Sequence, residues 1–522
     1  MTTPPPEEIE LKLALPPQQA PAFLKRMARR RSQPERQTLV TRYFDTPDFA
    51  LSGDGVALRV RRVVKGAGQR PRWLQTLKTE GERQGGLSRR VEYEMPVSRG
   101  EPDWGRFPPE ARALVPEPLR VRVVPVFETR FERTAWLLKG AGGARIEVAL
   151  DVGEVASQSS AGERSAPICE IELELKSGRP DALFALALEW AVAFDGLPFD
   201  VSKAERGVRL ARGIAAEPVK SAPVALDDGM GVEEAFAAIV QACLAQFQTN
   251  LPGVLASEDI EYVHQARVAL RRLRAALRLF RKACPVPPEL LDGLRALAVA
   301  LGPARDWDVL CSETLPPIAP HVPAADAWLH GMRALEAHRA DVRAAMREAL
   351  GRARPGVWLL AMHRWLLRHG WRFLPDGETV PAAQRFTQLA PLDAWARRAL
   401  KKGHRRIVRG GRDFAALAPA RRHALRIAIK RQRYAVEFFE TLFEDGHAQR
   451  PAHYLAALRD AQESLGRLND ARVASDLLTA AQVESGPMGA FVLGWLAAQR
   501  ANMDGAEGAG PVRALLGSKP YW

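Results

Sequence analysis

From Glu8 the chain reads Glu-Ile-Glu-Leu-Lys-Leu-Ala-Leu, charged and aliphatic residues alternating as in a β-strand with two unlike faces. The same period of two returns at Val56–Arg62, Trp73–Lys78, Arg90–Met95, Ile146–Asp151 and Ile168–Lys176, separated by Gly, Pro and Asp. Two helices are predicted between strands, at Gln18–Arg31 and Pro180–Phe194. From about Val232 the period turns helical, in long Ala-, Leu- and Arg-rich segments that run to the end. The change follows Ala215–Gly231, whose Pro, Gly and Ala content suits a linker. The expected division is a strand domain over 7–212, a linker over 213–227 and a helical domain over 228–522.

The helical half repeats itself. Residues 264–280 and 423–439 both fit His-x2-Arg-x3-[Arg/Lys]-Arg-x-Arg, and Leu301–Val309 is echoed by Leu465–Val473. Two copies of a long helical unit, about 232–390 and 391–522, predict a duplicated all-α bundle rather than a short-period solenoid.

Length and charge then bound the chemistry. A chain of 522 residues exceeds one ordinary core, and a net charge of +14 with pI near 9.9 favours polyanionic partners. Cys169, Cys243, Cys284 and Cys311 lack the spacing of a zinc site or a disulfide framework, and read as buried thiols. The N-terminus lacks the build of a signal peptide, and no apolar run approaches the roughly 18 residues of a membrane span. A cytoplasmic protein without a membrane partner is the expectation.

All ten histidines lie beyond the linker, so the strand domain is expected to work without imidazole. Its strands gather charge on one face: Glu8, Glu10 and Lys12; Arg59 and Arg61; Glu92 and Glu94; Glu147 and Asp151; Glu170, Glu172 and Glu174. Outward solvated faces are one solution, and a closed antiparallel barrel with a charged lumen is the other. Such a lumen needs a ligand that compensates both signs, and a polyphosphate with its divalent metal does so. Of Arg89 and Arg90, adjacent on a strand, at least one is expected to be merely solvated; Trp73, Trp104 and Trp136 read as packing residues.

The ordered series resembles the CYTH, or triphosphate tunnel metalloenzyme, superfamily. Glu8-Ile9-Glu10-Leu11-Lys12 fits its ExExK signature, followed by Arg42–Pro47, Leu58–Arg61, Thr76–Lys78, Phe131–Thr134, Asp151–Gly153, Glu170–Glu174 and Ser202–Gly207. The resemblance implies an α+β antiparallel eight-stranded tunnel that hydrolyses a triphosphate with Mg²⁺ or Mn²⁺. By position, Lys12, Arg59, Arg61, Lys78, Arg133 and Lys203 would bind substrate, while Glu8, Glu10, Glu170 and Glu172 would hold metal, helped by Glu147 or Asp151. Glu170, Glu172 and Lys203 would carry catalysis; which carboxylate orients the water stays open.

On a helix, His264, Arg267, Arg271, Arg274 and Arg278 share one side, as do His423, Arg426, Lys430 and Arg433. One such stripe is usually a solvated face. Its recurrence, with few acids interleaved, favours a polyanion groove. These repeats resemble the CHAD domain, a helical binder of inorganic polyphosphate, over about 228–480. The resemblance implies a basic face of His264, Arg267, Arg271, Arg274, His423, Arg426, Lys430, Arg431 and Arg433, extended by Lys401, Lys402, Arg405 and Arg406. Arg305 and Asp306, matched by Asn469 and Asp470, are placed in loops, where an acid would orient basic partners or cap a helix. A metal or acid/base role for the histidines, and nucleic acid as ligand, are less favoured.

The expected function is hydrolysis of inorganic tripolyphosphate in the tunnel and binding of long-chain polyphosphate by the helices, which would bring the protein to polyphosphate granules. The alternatives are a nucleoside or thiamine triphosphatase, an ATP cyclase, or a polyphosphate-binding adaptor without turnover.

Overall fold

The computed structural model describes the chain except residues 1–6, 31, 67–69, 160–161, 375, 444–448 and 505. It forms two compact units. Residues Met1–Glu217 with Arg354–Arg368 make the first, and Pro218–Ala353 with His369–Trp522 make the second.

The first unit is a closed antiparallel barrel. Its strands are β1 (Glu7–Ala14), β2 (Glu35–Asp45), β3 (Val56–Val64), β4 (Arg72–Thr79), β5 (Glu82–Gln84), β6 (Leu87–Val97), β7 (Val124–Lys139), β8 (Arg145–Ser159), β9 (Gly162–Ser177) and β10 (Leu197–Pro198). The order β1-β9-β8-β7-β2-β3-β4-β6 closes because β6 also pairs with β1, giving eight staves, with short β5 and β10 at the margins. Closure removes sheet edges and gives the strands an inside and an outside. The predicted strands are found, and those at β6, β8 and β9 run longer than their alternating cores because pairing carries the ladder past the apolar run.

Apolar faces point outward from the tunnel and are covered by helices. α1 (Ala20–Met27) is shorter than the predicted Gln18–Arg31, since Pro16 and Pro17 lead into a 3-10 turn before it. With α2 (Asp181–Phe194) it closes a core of Phe23, Trp136, Phe184 and Trp190 over β1, β8 and β9. Trp73 and Trp104 pack on a second core around Leu58 and Phe107, as packing residues should.

α3 (Lys203–Arg212) begins at Ser202, whose hydroxyl accepts the Glu205 amide at 3.1 Å, and ends at Gly213 with φ +66°. A Cβ at Gly207 would lie 1.9 Å from the Phe127 ring, so glycine is what lets α3 lie against the barrel wall.

The second unit is helical. α4 (Val232–Ala256) packs along α5 (Ile260–Phe280), and α6 (Gly302–Val309) follows. α7 (Pro355–Leu367) leaves this unit for the first; α8 (Leu392–Gly411), α9 (Pro419–Phe438) and α10 (Gln449–Ala480) return to the second. Phe236, Phe280, Trp371, Trp395 and Phe439 form its aromatic core. The linker stretch has no regular structure over most of its length, yet Val224 and Leu226 are buried and Thr441 Oγ1 donates to the Val224 carbonyl at 2.8 Å, so it is strapped down rather than loose. Cys243, Cys284 and Cys311 are buried and Cys169 half-buried, all as free thiols. No helix among the described residues is long and apolar enough to cross a membrane.

Candidate active site

The barrel encloses a cavity of 720 Å³ lined by Glu8, Glu10, Lys12, Arg59, Arg61, Lys78, Arg90, Glu92, Arg133, Glu172 and Lys203 among others. The β-strand period explains the set: residues of one parity on each strand point into the lumen, and closure makes those faces converge.

At one level, three carboxylates meet. Asp151 on β8 and Glu170 on β9 are direct cross-strand partners, and Glu172 lies two residues along. One oxygen from each lies within 4.8 Å of the others. Asp151 and Glu170 are 0% and 1% exposed, and Lys203 Nζ covers them: it donates to Asp151 at 2.7 Å, to Glu172 at 2.9 Å, and to Glu170. Arg133 holds Asp151 with two bonds of 2.7 Å and also reaches Glu172. Arg206, one turn along α3, donates to Glu170 at 3.1 Å.

Burial alone would raise the Glu172 carboxyl, but Lys203, Arg133 and Lys12 outweigh it and hold the group well below the usual carboxylate range. Burial alone would lower the Lys203 ammonium, but Asp151, Glu170 and Glu172 outweigh it and raise the group.

Glu8 and Glu10 stand elsewhere on the wall. Glu8 accepts from Lys78 at 2.8 Å and from Arg90 at 3.0 Å, and Arg90 also bonds Glu10. Lys12 bridges the groups, 3.4 Å from Glu10 and 3.6 Å from Glu172. The expected set of Glu8, Glu10, Glu170 and Glu172 is therefore split: the compact carboxylate cluster joins Asp151 to Glu170 and Glu172, while Glu8 and Glu10 lie outside it. Glu147 sits with Glu174 and Lys176, half-exposed and outside that cluster.

The opposite wall is cationic. Arg61 is 8% exposed, donates to Thr41 Oγ1 at 3.1 Å, and makes no ion pair among the described residues. Burial, then Arg59 and Arg133, push its guanidinium down to about 10. Arg59 pairs with Glu92 at 3.3 Å but leaves its buried Nε without a partner among the described residues. Burial would raise the Tyr43 phenol, but Arg59 and Arg61 outweigh it and bring the group below its ordinary range. Phe131 forms a floor beneath Arg61, Arg133 and Lys203, with the cations 4.9 to 5.9 Å from the ring centre.

Arg90 was one of the pair of which at least one member was expected to be merely solvated; it lies in the lumen. It shares parity with Glu92 and Glu94, which was the signal in the sequence. Arg206 had no such signal, because it enters from a helix.

The second unit carries the repeated basic stripes on α5 and α9. Lys430 is half-buried beside Arg267, Arg271, Arg426 and Arg433; burial, then these arginines, push it down to about 7. His264 is also lowered, by burial and then Arg305. Arg431 faces a different group, Arg278, Arg281 and Arg406. Arg274 and His423, with Lys401, Lys402 and Arg405 on α8, are exposed on these helices. Arg305 and Asp306 lie inside α6, not in a loop, and Asn469 and Asp470 inside α10, because the apolar spacing carries the helices through these stretches. Asp306 approaches Arg267 at 3.7 Å, which fits orientation of a basic residue rather than capping.

Comparisons with known proteins match two families along the chain. The CYTH domain family model matches residues 6–208 and the CHAD domain family model matches residues 238–479. An inorganic triphosphatase of Haemophilus influenzae is 35% identical over 216 residues, 39% of this chain. The match spans 55% of that relative's length. The crystal structure of the CHAD domain from the plant Ricinus communis is 32% identical with a TM-score of 0.50, covering 59% of this chain and 99% of that one.

Proposed function

The chain joins a CYTH domain to a CHAD domain, and from that premise we propose that its tunnel is a metal-dependent inorganic triphosphatase, cleaving tripolyphosphate to diphosphate and phosphate, and that its helical domain binds long-chain polyphosphate. The observation that carries the reading is the tunnel's division of labour: the under-paired guanidiniums of Arg59 and Arg61 stand on one wall and the Asp151, Glu170 and Glu172 cluster on another.

Guanidiniums without a full set of carboxylate partners are matched to phosphoryl oxygens, which accept in the same forked geometry. Lys12, Lys78 and Arg133 add charge along the wall, so an extended triphosphate is held at several points. Asp151, Glu170 and Glu172 offer hard oxygen donors close enough to share one divalent cation, with Glu8 and Glu10 further along. Mg²⁺ or Mn²⁺ bound there would supply Lewis-acid polarisation of phosphoryl oxygens. Lys203 sets the charge at the point where the phosphoryl group is transferred, and a carboxylate of the lumen orients the attacking water.

In the helical domain, the cluster around Lys430 gathers five cations from α5 and α9, of which Arg267 pairs with Asp306 and Arg433 with Glu437, so the described acids only partly offset it. A long polyanion laid across both stripes would relieve their repulsion. A cytoplasmic enzyme brought to polyphosphate, including its granules, follows from this reading.

The test is phosphate release from tripolyphosphate, ATP and thiamine triphosphate with Mg²⁺ or Mn²⁺, on the wild type and on Glu10→Ala. Metal-dependent release favouring tripolyphosphate is expected. No metal-dependent hydrolysis of any of the three overturns the enzyme assignment.

A further inference from the structure

α7 comes from the sequence of the helical domain, yet it is built into the tunnel unit. Leu360 is 0% exposed within the core that holds Trp190 and Phe184, and Val357 and Leu367 pack on that core. Arg364 grips Asp181, the first residue of α2, with bonds of 2.8 and 2.9 Å. Gly356 lies so close to Gly196 that a Cβ would stand 2.2 Å from its carbonyl oxygen.

One side chain of α7 reaches the turn between β5 and β6. His363 is 1% exposed, and its ring lies against the β5–β6 turn, where a Cβ on Gly85 would come within 2.3 Å of it. That turn, Gly85–Gly86, has φ of +63° and +85°, as a tight two-residue hairpin demands. Its Gly86 carbonyl accepts the Lys12 amide at 2.9 Å, and the Gly86 amide donates to Asp200 Oδ1 at 2.7 Å. Lys12 is the cation that bridges Glu10 and Glu172 in the lumen.

We propose that α7 is a working part of the tunnel and that His363 is a positioning residue for Lys12: its ring braces the Gly85–Gly86 turn, and the turn fixes the backbone from which Lys12 enters the lumen. Burial alone pushes the imidazole down to about 3 and neither ring nitrogen has a partner among the described residues, so the ring acts by shape and not by charge. The functional half of the proposal rests on the triphosphatase reading; the positional half does not.

The full-length chain is compared with His363→Ala, His363→Leu and Arg364→Ala by two measurements: hydrogen exchange at the Lys12 and Gly86 amides, and steady-state tripolyphosphate hydrolysis. His363→Ala should speed exchange at both amides about tenfold or more, relative to the remaining β1 amides. It should raise KM about five- to tenfold with kcat within about twofold, since Lys12 holds ground and transition state alike. His363→Leu, which keeps the bulk, should restore both. Arg364→Ala, at the neighbouring residue, frees α7 from Asp181 without touching the His363 ring and should act in the same direction; it carries the test if His363→Ala does not fold. Unchanged exchange at Lys12 and Gly86 in the alanine variants overturns the proposal. Changed exchange in a protein whose wild type cleaves no triphosphate overturns the triphosphatase reading instead and leaves the bracing role standing.

Discussion

Lys203 Nζ lies 2.7 Å from Asp151 Oδ2 in a site where both residues are almost wholly removed from solvent. The lysine is the first residue of α3, and the aspartate faces it from β8. One helical ammonium thus bridges carboxylates that two neighbouring strands force together, with Arg133 and Arg206 supplying the remaining positive charge.

Replacing Lys203 by Met should therefore do more than remove a cation. Breaking a buried pair from one side leaves charge uncompensated, which costs about 3–5 kcal/mol in such settings. Urea unfolding should show that loss, and kcat for tripolyphosphate should fall by about 100-fold if the ammonium stabilises charge in the transition state.

The same network sets a pH window. Glu172 is depressed in the fold, so its contribution is present above the unfolded value of about 4.3 and is lost as pH falls below it. Lys203 is raised, so its contribution is complete below about 10.4 and is lost as pH rises through its higher folded value. Urea midpoints should be flat near neutrality and decline toward acid, and the acid decline should be shallower in Glu172→Gln.

Gly207→Ala tests how α3 is seated. The new Cβ would meet the buried Phe127 ring at 1.9 Å, so the helix must move off the wall and withdraw Lys203. Activity should fall nearly as far as in Lys203→Met. Gly494→Ala, where a new Cβ meets nothing within 4 Å, is the matched control and should leave tripolyphosphate hydrolysis unchanged.

Arg90 and Arg89 make a matched pair of opposite parity. Arg90→Ala frees Glu8 and Glu10 from their shared guanidinium and should raise KM for tripolyphosphate about tenfold. Arg89→Ala, on the other face opposite Ile9, should leave kinetics within about twofold.

Lys430 should make polyphosphate binding pH-dependent. At about 7 it is only partly charged in the free protein, and a bound polyanion favours its proton. Affinity should fall as pH rises through about 7, with proton uptake visible by calorimetry in buffers of different ionisation enthalpy. Lys430→Arg should bind with little pH dependence over that range. Stability has the opposite slope: the unfolded chain binds more protons between about 7 and 10.4, so stability rises with pH there.

The sequence by itself determined the two periodicities, the parity of each strand and the repeated stripes. Alternation is a local property of a strand, so EIELKLAL already assigns Glu8, Glu10 and Lys12 to one face, and the 3.6-residue period already aligns Arg267 and Arg271. What parity cannot give is the level of a residue along the tunnel. Closure and register decided that Asp151 meets Glu170 while Glu8 meets Arg90. Tertiary packing also decided that α7 serves the barrel, since an apolar helix face states that it must be buried but not against which core. Lys203 and His363 reach their places from helices far along the chain, and only the folded barrel brings them to the strands they touch.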